Sequence, residues 1–285
     1  MARLVLLIAW GLALTGPAFG ERGRLLATGG IAHLDGGAGG GIVPMALLAG
    51  YASDDQYGGT VSATRTDVDD YRLNTFSAAF NWHNRIELSA SRQVFNLGTL
   101  GRQVGTGAID LQVNTLGVKV RLAGDVLYTE MPQVSLGAVY RRHHDFDIPE
   151  LVGAREDSGT DAYLAATKVF LAGWLQQRWL VNAVVRNSSA NHAGLVGFGG
   201  DRESGRSTLL EGTLGWFASD ALLIGTEYRQ KPDNLTALDE DNWRDVFIAW
   251  FPDKQWSLAA AAVDLGDIGP LENQRGVYVS LTGSF

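Results

Sequence analysis

The chain is a succession of short segments, about ten residues each, in which apolar and polar residues alternate, and beyond the N-terminus no uninterrupted apolar run reaches the ~18 residues a membrane helix requires. A period of two sends successive side chains to opposite faces of a strand. In the last segment Val277, Val279, Leu281, Gly283 and Phe285 share one face, and Tyr278, Ser280, Thr282 and Ser284 the other. Val134, Leu136, Ala138 and Tyr140 stand against Ser135, Gly137 and Arg141; Leu222, Ile224, Thr226 and Tyr228 stand against Gly225, Glu227, Arg229 and Lys231. Val139 and Leu223 break the alternation. In 111–122 the apolar parity switches from Leu111 and Val113 to Leu116, Val118, Val120 and Leu122, which predicts a β-bulge near Asn114.

Strands are expected at 26–34, 43–52, 57–66, 70–82, 85–95, 110–122, 133–142, 160–171, 179–188, 207–217, 221–231, 243–251, 255–265 and 276–285. The fold class is all-β: a transmembrane antiparallel up-and-down β-barrel of about 14 strands, or 12 if residues 26–52 fold inward as a plug. Such barrels alternate short turns on the periplasmic side with long loops outside. Counted back from the C-terminus, one set of connections is short (53–56, 83–84, 218–220, 252–254) or moderate (123–132, 172–178). The other set is long (96–109, 143–159, 189–206, 232–242, 266–275), apart from the acidic turn 67–69. Trp82, Trp174, Trp179, Trp216, Trp250 and Trp256 lie at or near the short set and only Trp243 at the long one, the pattern of an interfacial aromatic girdle rather than of a soluble core.

Residues 1–20 read as a secretory signal peptide: a basic start at Arg3, an apolar stretch over 4–14 and the small-x-small ending Ala18-Phe19-Gly20. Residues 21–285 then form a single outer-membrane barrel domain, ending at Phe285, a C-terminal aromatic of the kind that outer-membrane assembly machinery reads. The formal charge of −8 argues against a duplex nucleic-acid partner, and the absence of cysteine excludes disulfides, thiolate metal sites and cysteine catalysis.

Chemistry is sparse. The glycine-rich run 36–41 lacks the Lys-Ser/Thr and strand-turn-helix context of a phosphate loop, so it is read as a flexible loop or as close backbone packing inside a barrel. The five histidines show no ligand spacing, and no metal or cofactor is expected. Ser188-Ser189 near Asn191-His192 offers residue types a lipid hydrolase could use, without a G-x-S-x-G motif. The inward faces are more informative. Glu87, Lys119, Arg121, Arg141, Arg186, Glu211, Glu227, Arg229 and Lys231 are expected to line the lumen.

Several stretches resemble a family of exported Gram-negative proteins catalogued only as a domain of unknown function: Leu34-Asp35-Gly36-Gly37-Ala38-Gly39-Gly40-Gly41, Asp69-Asp70-Tyr71-Arg72-Leu73, Arg85-Ile86-Glu87-Leu88-Ser89, Asp157-Ser158-Gly159-Thr160-Asp161, Gly197-Phe198-Gly199-Gly200-Asp201-Arg202, Glu227-Tyr228-Arg229-Gln230-Lys231-Pro232-Asp233-Asn234 and Trp243-Arg244-Asp245-Val246-Phe247. The resemblance implies an outer-membrane location and carries over no catalytic residue. The function expected is a porin-like channel or binding protein for small solutes; a closed structural or surface-interaction barrel and a lipid-modifying enzyme are the alternatives. Expected partners are outer-membrane lipid, lipopolysaccharide and the assembly machinery.

Overall fold

Twelve antiparallel strands, each paired with its neighbours in sequence, close into a barrel in the computed structural model, which describes residues 24–103 and 109–285. Two short strands, β1 (Ile31–Ala32) and β2 (Ala38–Gly39), pair with each other outside that sheet. The barrel runs through β3 (Tyr57–Val68), β4 (Arg72–Trp82), β5 (Ile86–Asn96), β6 (Asp110–Ala123), β7 (Gln133–His143) and β8 (Ser158–Phe170). It continues through β9 (Trp179–Ser188), β10 (Ser207–Ser219), β11 (Leu222–Arg229), β12 (Trp243–Trp250), β13 (Trp256–Asp264) and β14 (Arg275–Ser284). Pairing of β14 with β3, from Gly276 opposite Val68 to Ser284 opposite Thr60, closes the ring and leaves no open edge. The signal peptide expected over 1–20 lies outside the described residues.

Each strand carries its alternation into the barrel. Leu88, Leu116, Val118, Leu136, Leu164, Leu214, Val246, Ile248, Val279 and Leu281 point outward and are exposed, a continuous apolar belt suited to hydrocarbon. Most residues of the other parity are buried. The β4–β5 turn is closed by His83 and Asn84, both at positive φ (52° and 48°), the pair of left-handed residues that matches the twist of a two-residue hairpin. Phe285 ends the chain against β3: its N–H donates to the Gly59 carbonyl (3.0 Å), and a Cβ on Gly59 would fall 2.7 Å from Phe285 Cζ.

Of the two strand counts twelve is the one observed, because residues 26–52 fold into the lumen instead of joining the wall. The bulge expected near Asn114 is absent. Pairing of β5 with β6 runs unbroken from Ile86 opposite Val120 to Asn96 opposite Asp110, and the register shift of β6 falls between Arg121 and Ala123. Leu111 and Val113 face inward on the same parity as Thr115 and Lys119; the sequence changes phase there because these two side chains join a buried apolar cluster with Leu73, Phe95 and Leu97. Val139 and Leu223 also point inward and are buried, which explains the breaks in alternation.

Replacing Leu116, at the middle of β6 and 61% exposed, with Arg is expected to destabilise the bilayer-embedded barrel by about 2–4 kcal/mol in denaturant titrations of vesicle-refolded protein. Leu151→Arg, in the β7–β8 loop, should change it by less than about 0.5 kcal/mol.

Candidate functional site

A buried peptide backbone must find hydrogen-bond partners, and residues 24–56 have little regular structure of their own in which to find them. They find them on the barrel wall. Asn81 of β4, Gln93 of β5 and Lys119 of β6 donate to the carbonyls of Ala49, Leu34 and Ala38, and Lys119 donates also to that of Leu47. Gln133 and Ser135 of β7 both donate to Ala46 O, Asn182 of β9 to Pro44 O, Arg229 of β11 to Ile42 O, and the Tyr278 hydroxyl of β14 to Ala32 O. In the other direction, Glu87 accepts from the amides of Ala38 and Ala49, Thr167 from Ala46 and Glu227 from Ile42 (2.8 Å). The segment is therefore a plug, held from strands around most of the circumference.

Both ends of the plug lie at the short-turn mouth. Arg24 donates to the carbonyls of Leu48 and Gly50, Leu25 and Leu26 share a cleft with Val126, Leu127 and Phe217 near the turns there, and Ser53 to Gln56 turn directly into β3. The hairpin of β1 and β2 carries the plug upward, and Asp35 stands at its tip.

The run 36–41 is glycine-rich because the backbone presses on wall carboxylates. A Cβ on Gly40 would lie 1.8 Å from Glu227 Oε1, and one on Gly37 would lie 2.6 Å from Glu87 Oε1. Close backbone packing inside the barrel is the role this run plays.

At the tip the plug meets an ionic chain that crosses the wall from β7 to β11. Asp35 accepts a bidentate pair of bonds from Arg141, 2.9 Å at Nε and 2.7 Å at Nη2. Nη1 of the same guanidinium reaches Asp161 at 2.7 Å; Arg186 lies between Asp161 (3.4 Å) and Glu211 (2.5 Å), and Arg229 lies 3.5 Å from Glu211. Three guanidiniums alternate with three carboxylates, all buried. The Tyr163 ring lies 5.0 Å from the Arg186 guanidinium and the Trp243 ring 5.7 Å from that of Arg229, so these two cations each lie against a π-face. Nearer the other mouth Lys119 pairs with Glu87 at 3.2 Å.

Above the chain the long loops fold inward. Leu195, Phe198, Leu235 and Leu238 are buried, and Asn234 Nδ2 donates to Asn191 Oδ1 (2.9 Å). In this cap Lys231 Nζ approaches Glu240 Oε2 at 3.4 Å, and the His192 amide donates to Glu240 Oε1. Burial pushes the Glu240 carboxyl up to about 7 despite Lys231, and burial together with Lys231 holds the His192 imidazole well below its usual value. An apolar cavity of about 40 Å³ remains between plug, cap and wall, lined by Leu34, Tyr71, Phe95, Leu195, Trp243 and Ile268 among others.

Of the nine lumen candidates, Glu87, Lys119, Arg141, Arg186, Glu211, Glu227, Arg229 and Lys231 are buried inside, while Arg121 sits at the short-turn mouth on Gly124 O and Asp125. Trp82, Trp174, Trp216 and Trp250 are exposed at that end of the barrel and Trp179 and Trp256 are half-buried there, whereas Trp243 is inside. Ser188 and His192 are not a nucleophile–base pair: Ser188 Oγ accepts the Ala190 amide, and the imidazole offers Nδ1 to Lys231 and leaves Nε2 without a partner. Sequence reading missed Asp35, Asp161 and Asp245, the last a buried carboxylate that accepts the Glu227 amide (3.1 Å). Asp161 and Asp245 stand at strand positions whose parity pointed inward, and Asp35 is the lone carboxylate between Arg24 and Ser53.

The family described as "Protein of unknown function (DUF3034)" matches residues 28–282. The chain belongs to that family. Among curated proteins none matches. Among solved structures, one described as "KdgM porin in complex with disordered oligogalacturonate" is 11% identical, with a TM-score of 0.50 and coverage of 79% of this chain and 99% of that one. The Acinetobacter baumannii outer membrane protein Omp33 is 9% identical (TM-score 0.49, coverage 82% and 100%) and the outer membrane phospholipase A of Escherichia coli 10% identical (TM-score 0.42, coverage 84% and 95%). At such identities the likeness to the first is one of fold. In this member of the family the outer-membrane barrel fold is combined with a lumen occupied by the chain's own N-terminal segment.

Gly40→Ala forces the plug off Glu227 and should lower stability by about 1–3 kcal/mol, read from the denaturation midpoint and from faster proteolysis within 24–56. Gly212→Ala, whose new methyl would meet nothing nearer than 3.4 Å, serves as the silent control.

Proposed function

We propose that this protein is an outer-membrane channel for small solutes that is held shut by its own N-terminal segment. The observation that carries this reading is the path of the plug: it enters and leaves by one mouth, so it can withdraw without threading the barrel. A wall filled for stability alone would be lined by apolar side chains, which cost nothing to bury. Here the wall instead presents Glu87, Lys119, Arg141, Asp161, Arg186, Glu211, Glu227 and Arg229, groups that suit water and solute once the plug is gone.

Short turns with six tryptophans near them support reading that end as periplasmic and the long-loop end as the outer one. Export with cleavage after residue 20 would leave the new N-terminus in the periplasm, on the side from which the plug enters. The position of Phe285 over Gly59 supports its recognition by the assembly machinery, and the exposed apolar belt supports contact with lipid.

The test is conductance in planar bilayers. The full chain is expected to be closed with rare openings, and a chain lacking residues 24–50 to give a steady open current. A deletion variant that keeps its β-sheet circular dichroism and heat-modifiable mobility yet passes no current would overturn the channel reading in favour of a closed structural barrel.

A further inference from the structure

Between Arg24 and Ser53 the plug carries a single carboxylate, Asp35, and it makes a bidentate ion pair with Arg141 of the wall. Plug backbone makes further links to wall charges: Ala38 and Leu47 carbonyls to Lys119, Ala38 and Ala49 amides to Glu87, and the Ile42 amide and carbonyl to Glu227 and Arg229. The ionic chain is neutral only with Asp35 in it. Without it, the guanidiniums of Arg141, Arg186 and Arg229 are left facing the two carboxylates of Asp161 and Glu211. The uncompensated edge is a defined one. Arg141 spends Nη1 on Asp161, so its Nε and Nη2, which now bind Asp35 at 2.9 and 2.7 Å, form an oriented two-donor fork toward the lumen. Two parallel N–H bonds from one edge of a guanidinium match the two oxygens of a planar carboxylate. The fork is held in place by Asp161 on one side and by the turn 191–194 on the other, where a Cβ on Gly194 would lie 2.8 Å from Arg141 Cδ.

We propose that the Nε/Nη2 edge of Arg141 is a binding site for the carboxylate group of a small solute, and that such a solute opens the channel by displacing Asp35. Asp35 is then the resting occupant of a site made for a carboxylate. A ligand can shift the equilibrium only by binding the open state better than the closed one. That condition is met here, because Asp35 fills the fork in the closed state and leaves it in the open one. Chloride, a sphere, cannot take both bonds in the same way, and a neutral amide offers one acceptor and no charge. This inference rests on the gated-channel reading.

The chain has no cysteine, so a single introduced thiol reports on the plug alone. Ala38→Cys protein refolded into vesicles is treated with a water-soluble thiol reagent, in sodium chloride and in sodium acetate at equal ionic strength, with acetamide added to chloride as the neutral control. Acetate is expected to speed labelling at least about tenfold over chloride, with acetamide without effect. Adding Asp35→Asn is expected to give fast labelling in both salts, since the resting occupant no longer holds the fork. Labelling that is equally slow in acetate and chloride while Asp35→Asn is fast overturns the carboxylate site and leaves the gate standing. Acceleration by acetamide equal to that by acetate also overturns it. Labelling that stays slow in every chain, Asp35→Asn included, sinks the gate itself.

Discussion

Charged side chains and free peptide groups are both costly to remove from water, and in this barrel each is the other's partner. The wall supplies acceptors at Glu87 and Glu227 and donors at Lys119 and Arg229, and the plug supplies the backbone amides and carbonyls that meet them. Neither surface is satisfied alone. A wall stripped of its plug has to be wet, and a plug outside the barrel has to be solvated as a flexible chain. The same bonds that close the lumen therefore define what it becomes when open, and the glycines at 36–41 are the steric condition for making them.

Energetically such an arrangement is suited to switching. Because the unplugged state trades protein partners for water, the net free energy of each wall–plug bond is small, of the order of 1 kcal/mol for neutral groups and more for charged ones. The plug holds by number. The bidentate link of Asp35 to Arg141 concentrates charge and geometry in a single contact, in the turn between β1 and β2 and beside the cap turn 191–194. Loss of that contact removes the plug's bidentate ionic anchor while the barrel ladders, bonded strand to strand around the ring, are untouched.

The barrel was legible in the sequence because lipid enforces its pattern: one strand face must be apolar at every second residue, and Val277 to Phe285 shows it without exception. The alternation of short and long connections and the placement of the tryptophans followed from the same constraint. Inside, the constraint is weaker. Leu111, Val113, Val139 and Leu223 face a packed lumen, so parity alone read the first two as a bulge and the others as irregularities. Residues 26–34 and 43–52 could be read either as two wall strands or as a plug, since a segment buried on all sides has no polar face to give it away. Asp35 was visible only as part of a glycine-rich run, because its partner, Arg141, is 106 positions away in the chain.

The most direct measurement is hydrogen exchange of the amides of Ala38, Ile42, Ala46 and Ala49 in the refolded protein, compared with amides at the centres of β5 and β6. The expected result is protection of the plug amides, with exchange through an opening of lower free energy than that of the strands, while the strands stay protected. Plug amides that exchange as fast as free peptide would show that the segment does not occupy the lumen. Plug and strand amides that exchange together, at one free energy, would show that it never leaves without unfolding the barrel, and a gate of this kind could not exist.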